Sequence, residues 1–599
     1  MKKGEIVEAV CRETHYPNRG ICECTEPPVS FARTEEQENN RNPEGSTDFS
    51  ASASDGETEE TEENSRIAVK NTIPGQRLSV RLLRKKGGIW HGQPLSVLEK
   101  SPMEDRPIED VCPHAGECGG CLFQTLSYGN TLAVKEAEIR RLFEPVFSGD
   151  HAETFQRIYG GTLPSPDETA YRNKMEFSFG DREKGGPMTL GLHRRNSYYD
   201  IVTTEWCNII SGDMRSILVA TLHFFRSHDV PYYHKNEEKG FLRHLVVREG
   251  QNTGELLVDL VTTTQYPPAE MAVLLSDWKA ALLKLPLSGK LVSILHTAND
   301  AISDAVIDQG TEVLYGEDAF TDTVLGINFR ISPFSFFQTN TRGAEKLYSV
   351  VRNMVTDSLA GQAGLIYDLY CGTGTITQLM AAVAERVIGV EIVPEAVEKA
   401  KENAAMNGIE NAEFICDDVF HALDSMPEKP DVMILDPPRD GVAKKALEKI
   451  LSYNVENIVY VSCKPTSLAR DIPAFHEAGY RAAKMVSVDM FPYTAQVETV
   501  CLLSKGDVKS QKLRVEFSLE DMDTDGFKKG ATYNAIRDWI KEKYGYRVTN
   551  LNIAQVKQKH GIIERENYNK PKSPESKQPG CPEEKVKAIE DAMRHFHML

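Results

Sequence analysis

The pattern of apolar and polar positions divides the chain into stretches of different rhythm. Ile6 to Cys11 and Ile67 to Leu83 read as short strands, and the alternation in Arg77-Leu78-Ser79-Val80-Arg81-Leu82-Leu83 has period two, the mark of a half-buried strand. Small β-barrels of the oligonucleotide-binding type use such strands. A helix is predicted from about Tyr128 to Phe147, and Tyr171 to about Ile331 alternates strands with helices between Gly and Pro punctuation.

From Gly343 the rhythm becomes regular. Leu365 to Tyr370, Val387 to Glu391, Val432 to Leu435 and Ile458 to Val461 are apolar runs of the buried-strand type, separated by helical stretches. Strands alternating with helices predict a doubly wound, mostly parallel α/β sheet. After about Gly506 come helical segments at Thr532 to Tyr544, Asn552 to His560 and Pro582 to Phe596, a separate small module. The expected organisation has four parts: a β-barrel over 1–100, a central α+β domain over 101–340, the α/β domain over 341–506 and a helical module over 507–599.

Composition bounds the class. A chain of 599 residues with 40% hydrophobic and 26% charged residues reads as a soluble globular protein of several domains. No apolar run is long enough to span a bilayer, and Met-Lys-Lys-Gly-Glu at the start lacks the apolar stretch of a signal peptide. A cytoplasmic location is the expectation. The net charge of −19 argues against a nucleic-acid partner until its distribution is considered. The Glu-, Ser- and Asn-rich stretch at about 23–66 carries about half of it. That stretch has too few aliphatic residues to fold alone and is expected to be a disordered acidic insertion in the barrel. The rest leaves room for a local basic groove.

Asp368-Leu-Tyr-Cys-Gly-Thr-Gly-Thr375 lies between a predicted strand and a predicted helix. Its glycines let backbone approach a ligand closely, at the sheet edge where such folds bind ligands. Glu391 ends the next strand, placed to accept hydrogen bonds from ribose hydroxyls. An NAD loop is the alternative, but the third glycine of the dinucleotide fingerprint is missing. The loop resembles the S-adenosylmethionine loop of class I (Rossmann-like) methyltransferases. Asp418 follows the strand Glu413 to Cys416, where such folds contact the adenine, although its neighbour Asp417 competes for that place.

Two further segments end strands of the same sheet. Asp436-Pro-Pro-Arg439 is either a plain turn or an active-site lip. Similar Asp-Pro-Pro-aromatic motifs serve enzymes that methylate exocyclic amines and need no cysteine. Ser462-Cys463-Lys464-Pro465 puts a cysteine at the sheet edge, just before a helix expected to start at Ser467. Helix amides there are expected to lower the thiol pKa, while a buried inert cysteine is the plain alternative. Chemistry links the parts. C5 of uracil becomes nucleophilic once a thiolate adds to C6, and a base must then remove the C5 proton. Glu498, within an otherwise apolar strand, is a carboxylate that would be costly to bury without a role.

Together these residues resemble the RNA (uracil-5)-methyltransferase family, in particular its iron–sulfur, 23S rRNA-directed branch. The resemblance runs from about residue 1 to 505, apart from the insertion. It is carried by Cys112-Pro-His-Ala-Gly-Glu-Cys-Gly-Gly-Cys121, Tyr171-Arg-Asn-Lys-Met-Glu-Phe177, Gln338, the Asp368 loop, Asp436-Pro-Pro-Arg439, Ser462-Cys-Lys-Pro465 and the segment ending in Glu498. It implies S-adenosylmethionine contacts at Gln338, Tyr370, Thr375, Glu391, Asp418 and Asp436, a nucleophile at Cys463 and a base at Glu498. It also implies a TRAM-like RNA-binding barrel. The chain departs from the family pattern at Lys464 and Thr375, where Asn is common.

Cys112, Cys118 and Cys121 have x5 and x2 spacing, which by itself leaves zinc and a [4Fe–4S] cluster open. The resemblance implies the cluster, with Cys207 as fourth ligand. RNA is the expected partner, with no DNA and no membrane, and the target uridine must be unpaired or flipped out. Tyr171-Arg-Asn-Lys174 and Arg194-Arg195 offer cations near aromatics, and Lys528-Lys529 and Lys541 to Lys543 add basic residues to the C-terminal module. The competing functions are the same chemistry on a transfer-RNA T-loop uridine, amino-group methylation through Asp436-Pro-Pro-Arg439, and a non-catalytic RNA-binding or assembly factor.

Overall fold

The computed structural model describes residues 1–25, 66–147, 152–359, 362–426, 428–505, 533–545, 547–560 and 582–595. Most of the acidic insertion and the pair Lys528-Lys529 lie outside the described residues. The chain forms two compact units, Met1–Val515 and Glu516–Leu599.

The first unit begins with a closed five-stranded barrel in the order β1-β2-β3-β5-β4. Its strands are β1 (Ile6–His15), β2 (Arg19–Cys24), β3 (Arg66–Lys70), β4 (Arg77–Lys86) and β5 (Ile89–Glu99). This strand order, with β3 and β5 parallel and the other pairs antiparallel, is the oligonucleotide-binding barrel topology. The single strand expected from Ile67 to Leu83 is two strands. Asn71 and Gly75 take positive φ values of 59° and 91° between them and turn the chain. β2 continues through Cys24, so the barrel extends into the first residues assigned to the insertion.

Helix α1 (Tyr128–Phe143) follows, capped by the Ser127 hydroxyl. It gives way to a 3-10 turn over Glu144–Phe147 rather than running on as α-helix; Pro145 has no amide hydrogen to continue the ladder. Strand β6 (Tyr159–Leu163) comes next.

A seven-stranded sheet then forms from β7 (Lys174–Asp181), β8 (Met188–His193), β9 (Ile201–Thr203), β10 (Leu242–Glu249), β11 (Glu255–Thr262), β12 (Lys290–Ala298) and β13 (Thr311–Gly316). Helices α2 (Gly212–Ser227) and α3 (Pro268–Leu282) pack on it around Met214, Leu218, Phe225 and Trp278. A hairpin, β14 (Phe320–Val324) and β15 (Ile327–Ile331), leads into the next domain.

That domain alternates as expected: α4 (Thr341–Ser358), β16 (Ala363–Leu369), α5 (Thr375–Met380), β17 (Ala384–Glu391), α6 (Pro394–Met406), β18 (Ala412–Cys416), α7 (Val419–Ser425), β19 (Val432–Leu435), α8 (Lys444–Ser452), β20 (Asn457–Ser462), α9 (Pro465–Glu477), β21 (Arg481–Val488) and β22 (Glu498–Ser504). The sheet order is β18-β17-β16-β19-β20-β22-β21-β6. Successive side chains of its strands serve two cores. Tyr367, Leu369, Met433, Leu435 and Tyr460 enter one layer, and Ile366, Val432, Ile434 and Val461 the other. Burial on both faces is why these strands read as unbroken apolar runs. The order reverses between β16 and β19, which opens a crevice at their C-terminal ends. The eighth strand, β6, comes from far upstream and pairs parallel with β21.

The second unit holds α10 (Tyr533–Tyr544), α11 (Asn550–Lys559) and α12 (Glu583–His595) around Ile536, Ile540, Ile553, Val556 and Ile589. Among the described residues, no helix is long and apolar enough to cross a membrane.

Candidate active site

Tyr370, Glu391, Asp418 and Asp436, singled out for the cofactor, stand at or just past the C-terminal ends of β16, β17, β18 and β19. Beyond β16 the chain turns on positive φ values at Tyr370 (68°), Gly372 (54°) and Gly374 (73°). A Cβ at Gly374 would lie 2.5 Å from the Phe414 ring and 2.9 Å from Ala400, so only glycine fits there. At Gly372 the corresponding space is open, leaving the backbone accessible to a ligand. Glu391 closes β17, and its carboxylate accepts hydrogen bonds from Gly372 N (3.0 Å) and Val393 N (2.9 Å). It therefore fixes the glycine loop as well as facing the crevice. Thr375 begins α5 and is buried.

Asp418 caps α7 by accepting from Phe420 N at 2.8 Å. Its charge helps burial to push the Tyr370 phenol up to about 12, whereas Asp417 stands near His421. Of the two neighbours, Asp418 is the one on the glycine-loop side. Gln338 precedes α4; its carbonyl accepts from Asn173 Nδ2 and its side chain bonds Tyr348. Asp368 was quoted only as part of the loop. It is fully buried, its Oδ2 accepts from Thr377 Oγ1 at 2.6 Å, and burial pushes its carboxyl up to about 7.

The remaining residues gather at the ends of β19, β20 and β22. The β20–β22 ladder is antiparallel and ends with Ser462 opposite Thr499. Cys463 follows Ser462 and Glu498 precedes Thr499, so both lie at that end of the ladder, and Glu498 acts on the Cys463 thiol. Asp436 joins them from β19, its amide bonded to the Leu369 carbonyl at 3.3 Å. The charges act on one another. Glu498 is pushed up to about 8, by burial first and then by Asp436, and Arg439 opposes the shift. Asp436 is pushed up to about 7 by burial and by Asp368.

Cys463 departs from expectation. Its thiol is pushed up to about 11 by burial, Glu498 and Asp436, with Arg439 pulling the other way. Helix α9 starts at Pro465, two residues earlier than expected, and Lys464 is its N-cap. The helix amides do not outweigh two carboxylates and desolvation. Lys464 is half-exposed and 3.9 Å from the exposed Asp440. The cation that acts on the thiol is Arg439.

Two contributors were invisible in the sequence. Tyr16 of the barrel reaches Gln496 at 3.4 Å, and Glu498 and Cys463 act on its phenol. Lys135 of α1 is buried, pairs with Asp489 at 2.7 Å, and donates to the carbonyls of Phe491 (3.0 Å) and Gln496 (2.9 Å). It thereby ties both ends of the segment leading into Glu498. The same segment is held at the Tyr493 carbonyl by the amides of Leu122 and Phe123, 2.7 and 2.9 Å away.

A cleft of about 850 Å³ opens beside Arg439. Asn71 of the barrel, Arg172, Lys174 and Arg195 of the central sheet, and the exposed Phe336 border it. Most of the basic residues named near Tyr171 and Arg194 therefore face one groove.

Cys112, Cys118, Cys121 and Cys207 line a second, small cavity with Leu192 and Ile209. Burial pushes Cys121 up to about 11 and Cys207 to about 12, and raises Cys118. Such thiols need a bound cation to ionise. Among the described residues, however, no three His, Cys, Asp or Glu side chains are grouped to hold a metal ion.

Residues 324–506 match the family model described as tRNA (Uracil-5-)-methyltransferase. An uncharacterized RNA methyltransferase of Caldanaerobacter subterraneus is 46% identical over 440 residues, covering 73% of this chain and 94% of the relative. One from Clostridium tetani is 43% identical over 445 residues, covering 74% and 94%. The Pyrococcus abyssi tRNA (uracil-54, C5)-methyltransferase in complex with S-adenosyl-L-homocysteine superposes with a TM-score of 0.57 at 25% identity, covering 73% of this chain and 94% of that one. The chain is an RNA methyltransferase of the same family as these relatives, and its residues 324–506 match the tRNA (Uracil-5-)-methyltransferase model.

Proposed function

We propose that the protein methylates C5 of a uridine in 23S rRNA through a covalent bond between Cys463 and C6 of the base. The observation that carries this reading is that the buried Glu498 raises the Cys463 thiol, the two residues flanking the last pair, Ser462 and Thr499, of the β20–β22 ladder. S-adenosylmethionine supplies the methyl group on its sulfonium. Gln338, Tyr370, Thr375, Glu391, Asp418 and Asp436 are assigned to hold it in the crevice. Cys463 gives up its thiol proton to solvent and the thiolate adds to C6, which makes C5 a nucleophile able to take the methyl group. Glu498, in its ionised form a stronger base than an ordinary carboxylate because of its burial, then removes the C5 proton. Elimination restores the C5–C6 double bond and expels the thiolate. Arg439 favours the anionic forms of both Cys463 and Glu498.

The barrel is assigned as a TRAM-like RNA-binding module, since its Asn71 borders the same cleft as Arg439. Cys112, Cys118, Cys121 and Cys207 are assigned as ligands of a [4Fe–4S] cluster. Four thiols around an apolar cavity, Cys112 and Cys207 buried and Cys118 and Cys121 half-buried, are a fitting donor set.

A transfer-RNA T-loop uridine is the second reading, favoured by the likeness to the Pyrococcus abyssi enzyme. Mapping 5-methyluridine in ribosomal and transfer RNA from cells lacking this gene separates the two. Loss at a 23S site supports the first. Loss at a T-loop position alone supports the second.

A further inference from the structure

A cavity of about 330 Å³ lies on the central sheet apart from the crevice and the cysteines. Strand β7 contributes residues both to it and to the cleft beside Arg439. In β7, Met175, Phe177 and Phe179 enter the core, so Lys174, Glu176, Ser178 and Gly180 share the opposite face. Lys174, Met175 and Glu176 border the cleft beside Arg439, and Ser178, Phe179, Gly180 and Asp181 border the second cavity. From Glu176 to Gly180 is about 13 Å at the usual strand rise, a distance a few nucleotides of single strand would cover.

The cavity's polar floor is incomplete. His244 is 5% exposed, and its Nδ1 lies 3.3 Å from the Ser178 hydroxyl. Its buried Nε2 has no hydrogen-bond partner among the described residues. Burial lowers the imidazole to about 4, so the ring is neutral. The nearest charge is Asp304 Oδ1, 3.8 Å from Nε2. The other Asp304 oxygen is occupied by Lys235 Nζ at 2.6 Å and His193 Nε2 at 3.1 Å. An imidazole nitrogen and a carboxylate oxygen side by side suit the edge of a planar heterocycle that both donates and accepts hydrogen bonds.

The rim is aromatic. Tyr199, 60% exposed, stands with Tyr232 and Tyr233. Arg243 lies over the Tyr233 ring at 4.6 Å and donates to the carbonyls of Ala301 and Ser303, which fixes the loop bearing Asp304. Asp181, Asp200 and Glu237 balance Lys184 and Lys235 around the cavity, so it is not built to collect phosphate. Aromatic faces around a polar floor favour a stacked base.

We propose that this cavity binds the base of one unpaired nucleotide in the same RNA strand, a few positions from the uridine in the catalytic cleft. The proposal rests on RNA being the substrate, and its tests separate the two claims. The first test uses unfractionated RNA carrying 4-thiouridine, taken from cells lacking the gene and irradiated with the full-length protein. Nucleotide adducts are expected on the peptides holding Tyr199 or Tyr232-Tyr233, in addition to any at the cleft. The second measures RNA affinity of Tyr199→Ala, a surface change, and of Asp304→Asn. Each is expected to bind the RNA about ten-fold more weakly with S-adenosylmethionine affinity unchanged. Adducts confined to the cleft, with both variants binding RNA like the parent, overturn the proposal and leave uridine methylation intact. Saturable binding of free AMP or UMP that RNA does not displace makes the cavity a mononucleotide site and also overturns it. An absence of adducts everywhere, together with no 5-methyluridine formed, removes the RNA reading and this proposal with it.

Discussion

Cys463 and Glu498 flank the last pair, Ser462 and Thr499, of an antiparallel ladder in an otherwise largely parallel sheet, and Glu498 raises the Cys463 thiol. The two residues have opposite tasks in the proposed reaction, one making a bond to C6 and the other ending it by taking a proton from C5. Cys463→Ala is expected to abolish methylation with S-adenosylmethionine binding retained. Glu498→Gln should still form the covalent bond but fail to resolve it. A protein–RNA species on a denaturing gel, present for Glu498→Gln and absent for Cys463→Ala, is the expected observation. Full amino-group methylation by Cys463→Ala would instead support the Asp436-Pro-Pro-Arg439 alternative.

Glu498 also makes stability depend on pH in a definite direction. Its carboxyl is raised from an ordinary 4.5 to about 8. The folded protein therefore keeps a proton that the unfolded chain gives up between those values. The stability tied to that proton is fully present below pH 4.5 and is lost as pH rises towards 8. At about 1.4 kcal/mol per pH unit the loss amounts to a few kcal/mol. Glu498→Gln, which carries no proton to lose, should melt above the parent at pH 8.5 and close to it at pH 4.5. Equal melting differences at both values would show that Glu498 is not held protonated.

Arg439 is the favourable charge for both reacting groups. Replacing it with Gln should raise both the Cys463 thiol and the Glu498 carboxyl. The pH profile of methylation is expected to move to the alkaline side by about one unit, as an opposite charge typically shifts a neighbour by that order. Alkylation of Cys463, followed by peptide mass mapping across pH, reads the thiol separately. Lys464→Asn should leave that alkylation profile unchanged, because Lys464 faces Asp440 and solvent.

Much of this site was legible because its residues sit where strands end. Asp368, Glu391, Asp436 and Cys463 each follow an apolar run whose burial on both faces made the strand unmistakable. The glycine loop was legible because Gly374 has no room for a side chain. Charge coupling was not. A helix after Cys463 suggested an acidic thiol, yet the partners that raise it, Glu498 and Asp436, come from other strands. Tyr16 and Lys135 left no mark in the pattern, since a tyrosine before a proline and a lysine in a helix are ordinary surface residues until folding places them. Strand β6 was hidden for the same reason: a short Gly-containing stretch becomes a strand only by pairing with β21.

The cysteine cavity gives a chemical prediction independent of activity. If Cys112, Cys118, Cys121 and Cys207 hold a [4Fe–4S] cluster, anaerobically purified protein should contain iron and acid-labile sulfide in equal amounts. Cys207→Ser should reduce both. Zinc in place of iron would retain a metal role for the cysteines and discard the cluster. Because the amides of Leu122 and Phe123 hold the Tyr493 carbonyl, loss of the metal should also speed proteolysis of the segment before Glu498, a readout that needs no substrate.

Lys135 tests whether that segment positions the base. Its ammonium pairs with Asp489 and holds the carbonyls of Phe491 and Gln496, all within buried surroundings. Lys135→Met removes these bonds and leaves Asp489 unpaired, at a cost of about 3–5 kcal/mol in stability. Lys135→Met combined with Asp489→Leu removes the orphaned charge and should recover most of that stability. It cannot restore the two bonds to the segment. If the lysine only stabilises the fold, the double variant regains methylation together with its melting temperature. If it positions Glu498, the double variant folds and binds S-adenosylmethionine normally, yet accumulates the covalent protein–RNA species seen with Glu498→Gln, because attack by Cys463 proceeds while proton removal lags. The second outcome is expected, since Cys463 sits on a different strand end that Lys135 does not touch.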